Sequence, residues 1–233
     1  MGFKNNSKEK VDKNFALAVN ILNKNKIKYW ICHGTLLGII RDNQLIPWDH
    51  DIDIAVWSSN NLKNKIKKIM LSKKFTLKEK YLIEDDLLTF IKPGGREVDI
   101  NFYKIKKIND QNLAFINWFV PKNFFFKLID ALSVGKKYQG NFKFFIRFLF
   151  FLKSFFKSLK IYLINRGNFY KSIGYTQPLN LLLHFKVIKF KNLNIKIPKN
   201  YKKYLQYVYG DSWKKPKKDY NWIIDSPSTK DLN

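Results

Sequence analysis

Apolar residues recur at near-helical spacing over 8–25 (KEKVDKNFALAVNILNKN), where Val11, Phe15, Leu17, Ala18, Ile21 and Leu22 predict an amphipathic helix. The short apolar run 29–32 reads as a strand, and 36–41 as a helix ended by the polar turn Asp42-Asn43-Gln44. Pro47 bars a helix through the next segment and favours extended backbone before it. Over 51–57 the pattern changes to period two, with Asp51 and Asp53 against Ile52, Ile54 and Val56, and predicts a strand. The stretch 60–73 returns to helical spacing through Leu62, Ile66, Ile69 and Met70. Two strands are expected over 87–92 and 96–103, joined at Pro93-Gly94-Gly95, with a further one over 75–83. In the second of the pair Val98, Ile100 and Phe102 alternate with Asp99 and Asn101, so Asp99 falls on the polar face. This order predicts an α+β fold, a small mixed sheet flanked by helices.

The second half reads as more helical. Over 141–165 a helical projection gathers Phe144, Phe145, Phe148, Leu149, Phe151, Leu152, Phe155, Phe156, Leu159, Tyr162 and Leu163 on one side, and Lys143, Arg147, Lys153, Lys157 and Lys160 on the other. Regular cations argue against a spanning helix, which needs ~20 mostly apolar residues. Two readings stay open: a helix lying against an anionic membrane surface, or a core helix whose aromatic face packs on the domain. A hairpin is expected over 187–197 around Asn192-Leu193-Asn194, then a helix over 201–209 capped by Gly210. The lysine-rich end from 214 onward is expected to be poorly ordered. The chain thus divides into 1–110, an aromatic-rich basic helical region over 111–185, and 186–233, packed together as one domain.

Composition adds little that is decisive. The 233 residues are 45% hydrophobic, enough for a real core. The formal net charge of +26 invites nucleic acid or an acidic membrane. Yet the arginines are only Arg41, Arg96, Arg147 and Arg166, and a lysine excess among many Asn, Ile and Phe is also what AT-rich codons produce. The lone Cys32 suits a reducing compartment, no secretory leader opens the sequence, and Asn6 breaks the myristoylation pattern. A cytoplasmic location is therefore expected, with peripheral attachment to the inner face of the membrane under the membrane reading of 141–165.

The chemistry concentrates in His33-Gly34-Thr35 and in Asp49, Asp51 and Asp53. Carboxylates at spacing two line one strand face, where they repel one another unless a divalent cation sits among them. A Gly-Thr turn opening a helix offers backbone N–H groups to phosphate oxygens. Phosphate at one end and metal-bearing acids at the other describe phosphoryl or nucleotidyl chemistry. Asp51 and Asp53 are the expected Mg²⁺ (or Mn²⁺) ligands, with Asp49 a third ligand or a support. Gly34 and Thr35 would hold donor phosphates, and Arg41 would add a bidentate contact unless it pairs with Asp42. His33 and His184 are not expected to act as bases, and Trp48 is expected to pack beneath the acidic loop. Scattered histidines give no zinc pattern.

His33-Gly34-Thr35-Leu36-Leu37-Gly38, then Arg41, then Ile46-Pro47-Trp48-Asp49-His50-Asp51-Ile52-Asp53, resemble the LicD/fukutin family of the nucleotidyltransferase (DNA polymerase β-like) superfamily. Val98-Asp99-Ile100 stands where that superfamily keeps its third carboxylate, and Ile197-Pro198-Lys199-Asn200-Tyr201 with Tyr209-Gly210-Asp211 is similar to the family's ending. Residues 104–185 carry no recognised motif. The resemblance implies a nucleotidyltransferase-fold catalytic core over 1–110 with a helical C-terminal half. It further implies Mg²⁺-dependent transfer of phosphocholine or ribitol phosphate from a CDP-activated alcohol to a glycan or lipid-linked glycan, releasing CMP. Asp99 would complete the metal site or serve as the base that takes the acceptor proton. His50 departs from the family, many of whose members carry Asp there, but the alternation points it away from the acids. The competing readings are a true nucleotidyltransferase releasing pyrophosphate, an RNA-binding protein, and a membrane adaptor on a degenerate catalytic fold. The expected carboxylates are all retained, which disfavours the membrane adaptor; the RNA reading would need exposed aromatics among the lysines, and nucleic acid is not the expected partner.

Overall fold

The computed structural model describes residues 11–59, 61–78, 86–108, 110–138 and 140–231. Parts of the segments expected at 8–25 and 75–83 lie outside them. In chain order the elements are α1 (Lys13–Lys24), β1 (Trp30–Ile31), α2 (His33–Asp42), β2 (Asp51–Trp57), α3 (Leu62–Ser72), β3 (Thr76–Leu77), β4 (Leu87–Ile91), β5 (Glu97–Ile108), β6 (Gln111–Phe115) and β7 (Trp118–Pro121). There follow α4 (Phe124–Val134), α5 (Lys143–Phe148), α6 (Lys153–Asn165), β8 (Tyr170–Pro178), β9 (Phe185–Phe190), β10 (Leu193–Pro198), α7 (Tyr201–Tyr209), α8 (Trp222–Asp225) and β11 (Thr229–Asp231). The class is mixed α+β, as the order of periodicities predicts. The C-terminal half is not predominantly helical, because β6 to β11 interleave with its helices.

Two compact units divide the chain. The first takes, among the described residues, 11–59, 61–78, 86–108, 110–116 and 175–229. Its sheet centres on β2, antiparallel to β1 and parallel to β5. On its other side β5 pairs antiparallel with β4 over its first half and with β6 over its second. Ile52, Ile54, Val56, Val98 and Ile100 are fully buried on one face, as the alternation requires. Trp30 fills the core against Trp57, Tyr103 and Phe185, with ring centroids 5.1, 5.4 and 5.1 Å away.

One carboxylate and one amide lock the start of the sheet. Asp12 caps α1 by accepting from the N–H groups of Asn14 and Phe15 at 2.9 and 3.0 Å, and its second oxygen accepts from Arg96 N–H at 3.0 Å. The buried Asn14 amide donates to the carbonyls of Lys92 and Arg96. A Cβ at Gly95 would lie 2.6 Å from Asn14 Cγ, so glycine is required where the β4–β5 hairpin closes over this amide.

The β9–β10 hairpin turns at Lys191-Asn192, with Lys191 at φ +54°, rather than at Asn192-Leu193-Asn194. Leu193 is thereby freed to pair opposite Phe190 and enter the core. Helix α7 and its Gly210 cap, at φ +80°, follow the sequence expectation. The tail does not. Ser226 Oγ donates to Val208 O at 2.7 Å, and Ser228 is fully buried with its carbonyl accepting from Thr176 N–H. Short hydroxyl side chains satisfying backbone groups order a segment that lysine content alone marks as loose.

The second unit takes 117–138, 140–174 and 230–231 among the described residues. Ile129, Phe169 and Tyr170 form one core cluster with Phe126, Phe156 and Leu163, and Ala131, Leu132 and Ile146 form another with Leu128 and Leu149. The expected single helix over 141–165 is broken by a 3₁₀ turn at Leu149–Leu152. The tighter winding advances each side chain by about 120° rather than 100°, so α6 starts in a new phase. Ile146, Leu149, Phe156 and Leu163 therefore pack inward while Phe144, Phe148, Phe151 and Phe155 face out, so the projected apolar side is split in two. Lys160, projected onto the polar face, is instead buried, its Nζ 2.6 Å from Asp130 Oδ1. Among the described residues no helix is long and apolar enough to cross a membrane.

Candidate active site

The site is built where β1 hands over to α2. His33, the first residue of α2, has φ +45°, a left-handed conformation that a non-glycine residue holds only under constraint. Its N–H lies 3.4 Å from the Tyr204 hydroxyl, its Nε2 lies 3.1 Å from the Tyr103 hydroxyl, and its ring stacks on Tyr175 at 4.5 Å. Burial drops its pKa to about 3. The imidazole is thus neutral and structural, as the sequence reading has it.

That turn sets Gly34 directly against the acids. A Cβ on Gly34 would stand 2.5 Å from Asp49 Oδ2, closer than atoms pack, and in ordinary contact with Asp53 Oδ2 at 3.6 Å. The next residue serves Asp53 twice. Thr35 Oγ1 accepts from Asp53 N–H at 2.7 Å, and Thr35 N–H lies beside the Asp53 carboxylate. Thr35 is therefore committed to anchoring β2, while the Gly34 amide lies in the first helical turn, where no intrahelical acceptor precedes it.

Register supplies the rest. On the parallel pair β2–β5, Asp53 stands opposite Asp99 and Asp51 opposite Glu97. Neighbouring strands run about 4.8 Å apart, so Asp53 and Asp99 are lateral neighbours on one face while Asp51 is two residues along it. Asp99 is 8% exposed, and Asp49, Asp51 and Asp53 are half-buried. Burial first, then the charges of Asp51, Asp49 and Asp99, push the Asp53 carboxyl well above the usual range. The buried Cys32 thiol beneath is pushed up by burial and then by Asp53.

Two contacts place the loop bearing Asp49. A Cβ at Gly38 would meet Gln44 O at 2.6 Å and Ile46 N at 2.9 Å, so glycine lets the loop fold back on α2. Arg96 donates to Ile46 O at 3.0 Å and ties the loop to β5. Trp48 does not pack beneath it: the ring is 37% exposed with Lys218 Nζ 5.6 Å from its centroid. Arg41 stands two turns from Gly34, about 10 Å along the helix axis. Its guanidinium is held by both oxygens of Asp42, at 2.9 and 2.7 Å, so the structure gives it the ion-pair alternative. His50 is exposed and off the acidic face.

Sequence reasoning missed the tyrosines. Tyr175 and Tyr204 are buried and Tyr209 half-buried around this centre, and the charge of Asp53 adds to the desolvation that raises their hydroxyl pKa values. Tyr209 belongs to a motif singled out beforehand, but Tyr175 carries no local signal.

A family model described as LicD/FKTN/FKRP, nucleotidyltransferase domain, matches residues 26–200. The chain belongs to the LicD/FKTN/FKRP family. Within it, uncharacterized protein RP689 of Rickettsia prowazekii is 48% identical over 42 residues, which is 18% of this chain and 16% of that protein. Ribitol 5-phosphate transferase FKRP of Homo sapiens is 38% identical over 39 residues, 17% of this chain and 8% of that protein. These matches span a sixth or less of the relatives' own lengths. The solution structure of antibiotic-resistance factor ANT(2'')-Ia aligns with 67% of this chain and 98% of its own at 11% identity, with a TM-score of 0.31, too low to carry an argument.

The side chains gathered in this LicD-family chain are hard oxygen donors, which suit Mg²⁺ or Mn²⁺ rather than soft metals. Among the described residues no three His, Cys, Asp or Glu side chains are set to cage an ion by themselves. Mg²⁺ is usually held by one or two carboxylates together with substrate phosphates, so an open acidic face beside a bare glycine fits it.

Proposed function

We propose that this chain is a transferase that moves a phospho-alcohol, of the phosphocholine or ribitol phosphate type, from a CDP-activated donor to a glycan hydroxyl and releases CMP. The observation that carries this reading is the lateral pairing of Asp53 with Asp99, with Gly34 left bare against Asp49 and Asp53. Family membership and the ribitol 5-phosphate transferase activity named for FKRP support it. A nucleotidyltransferase-type core is part of the same proposal.

Asp51 and Asp53, with Asp49, would hold Mg²⁺ or Mn²⁺, which when bound neutralises charge on the donor phosphates. Gly34 admits those phosphates next to the acids, because no side chain fills the space and its amide points from a helix N-terminus. Asp99, on the neighbouring strand, accepts the proton of the attacking hydroxyl. Asp53, ionised only with difficulty in this setting, is held in place by Thr35. Arg41 contributes to donor binding only by leaving Asp42.

The family description also names a nucleotidyltransferase domain, which favours pyrophosphate release as the second reading. Incubation with CDP-choline and CDP-ribitol, Mg²⁺ and a glycan panel separates the two. CMP appearing with phospho-alcohol on the glycan is the expected result. Pyrophosphate from a nucleoside triphosphate supports the second, and Asp51→Asn activity equal to wild type overturns both.

A further inference from the structure

The second unit carries a surface that the proposed transfer does not use. Phe144, Phe148, Phe151, Phe155 and Tyr162 are 79, 74, 65, 62 and 53% exposed. Phe144 and Phe148 lie on α5, Phe151 in the 3₁₀ turn, and Phe155 and Tyr162 on α6, so exposed rings recur along all three pieces. Phe124 and Phe125 at the start of α4 are also exposed, at 81 and 62%. So many large apolar side chains in water cost free energy unless a partner covers them.

Charge identifies the partner. Residues 117–174 hold eleven Lys or Arg and a single acid, Asp130. That acid faces inward, with Lys160 Nζ at 2.6 Å and the Tyr170 hydroxyl at 3.3 Å. Two of the remaining cations sit over phenylalanine rings, with Lys136 Nζ 3.9 Å from the Phe150 centroid and Lys143 Nζ 5.5 Å from that of Phe144, and Lys157, two residues after Phe155, is exposed. Two copies meeting through such a face would oppose like charges. Protein–protein interface cores exclude lysine and favour Tyr, Trp and Arg, whereas lysine interleaved with phenylalanine is the composition of a surface that lies in a bilayer interface. There the rings enter the acyl boundary while lysine stems reach up to lipid phosphates.

We infer that the α5–α6 face of the second unit docks on an anionic lipid bilayer, lying in the interface without crossing it. This surface is independent of the acidic site and does not rest on the transferase reading.

The test uses the full chain with vesicles of phosphatidylcholine alone or mixed with phosphatidylglycerol. Cosedimentation with the mixed vesicles is expected, weakening as salt is raised. Replacing Lys143, Lys153 and Lys157 by Gln should weaken binding about fivefold per lysine. The combined variant F144S/F148S/F151S/F155S should lose binding by more than about tenfold with an unchanged melting temperature. Amide exchange of the wild-type chain, slowed over 142–157 on adding mixed vesicles, gives a readout that needs no variant to fold. Absence of wild-type binding overturns the inference, as does binding indifferent to lipid charge. A dimer lost in the Phe→Ser variant, with no vesicle binding, also overturns it and assigns the face to a second copy.

Discussion

The acidic face of β2 and β5 and the phenylalanine face of α5 and α6 depart from ordinary packing in opposite directions. At the first, Asp51, Asp49 and Asp99 lie near enough to Asp53 to act on its charge, and burial with these neighbours disfavours its ionised form. At the second, aromatic rings stand in water above a core that already has its share of them. Each is unfavourable in the isolated chain, since buried charge wants a counter-charge and exposed apolar area wants cover. Their supports differ too. The acids are fixed by backbone register, glycine clearance and Thr35, which gives a rigid site suited to one geometry. The rings sit on short helical pieces facing outward, a surface suited to a soft, laterally uniform partner. The lesson is that a local violation of the inside–outside rule is where a ligand is to be tested for, and the rigidity of its scaffold sets how narrow a range of ligands the surface suits.

Breaking the acidic side should have the largest effect. Asp53→Asn should lower kcat/KM for transfer by about 10³-fold or more, measured as CMP release at saturating Mg²⁺. On the other side, the buried pair beneath the phenylalanine face can be broken without touching the face itself. Asp130→Asn leaves Lys160 buried without its counter-charge and should cost about 3 kcal/mol, read as a melting temperature some 6 to 12 °C lower. Transfer activity measured well below that temperature should be retained. Gly34→Ala adds a single methyl against Asp49 and should cost about 10²-fold in turnover through misplacement of the acids, with far less effect on melting.

The smallest effect tests the electrostatics directly. Because the Asp53 carboxyl is raised in the folded chain, the native state keeps a proton that the unfolded chain releases near the ordinary aspartate value. Stability without divalent cation should therefore fall as pH rises from that value through the elevated one, by up to about 1.4 kcal/mol per pH unit, and level off above it. Urea titrations across pH should show this slope in the wild type and a flatter one in Asp53→Asn. A slope of opposite sign would mean that Asp53 has a cationic partner in solution.

Much of the site was legible beforehand because its signals are local. Period-two alternation places Asp51 and Asp53 on one face, Pro47 ends the helical reading, and a glycine before a helix marks a close approach. The β4–β5 hairpin and the cap of α7 were equally readable from Gly94, Gly95 and Gly210. Signals failed where a residue's neighbour is distant in sequence. Tyr175 reaches His33 only because the sheet brings them together, and Lys160 is indistinguishable from Lys157 in a helical projection until Asp130 is placed beside it. The break in 141–165 has no proline or glycine to announce it. Trp48 and the ordered tail were misjudged because exposure and hydroxyl hydrogen bonding depend on what lies opposite.

The amino-acid sequence by itself determined the strand and helix that carry the chemistry, the acid and glycine identities, and membership of a chemical class, since periodicity and turn chemistry act over a few residues. Only the tertiary structure decided that Asp99 stands beside Asp53, that Thr35 and Arg41 are occupied with Asp53 and Asp42, and that the phenylalanines divide between core and surface. Those outcomes depend on strand register and helix phase, which are set by packing between segments far apart in the chain.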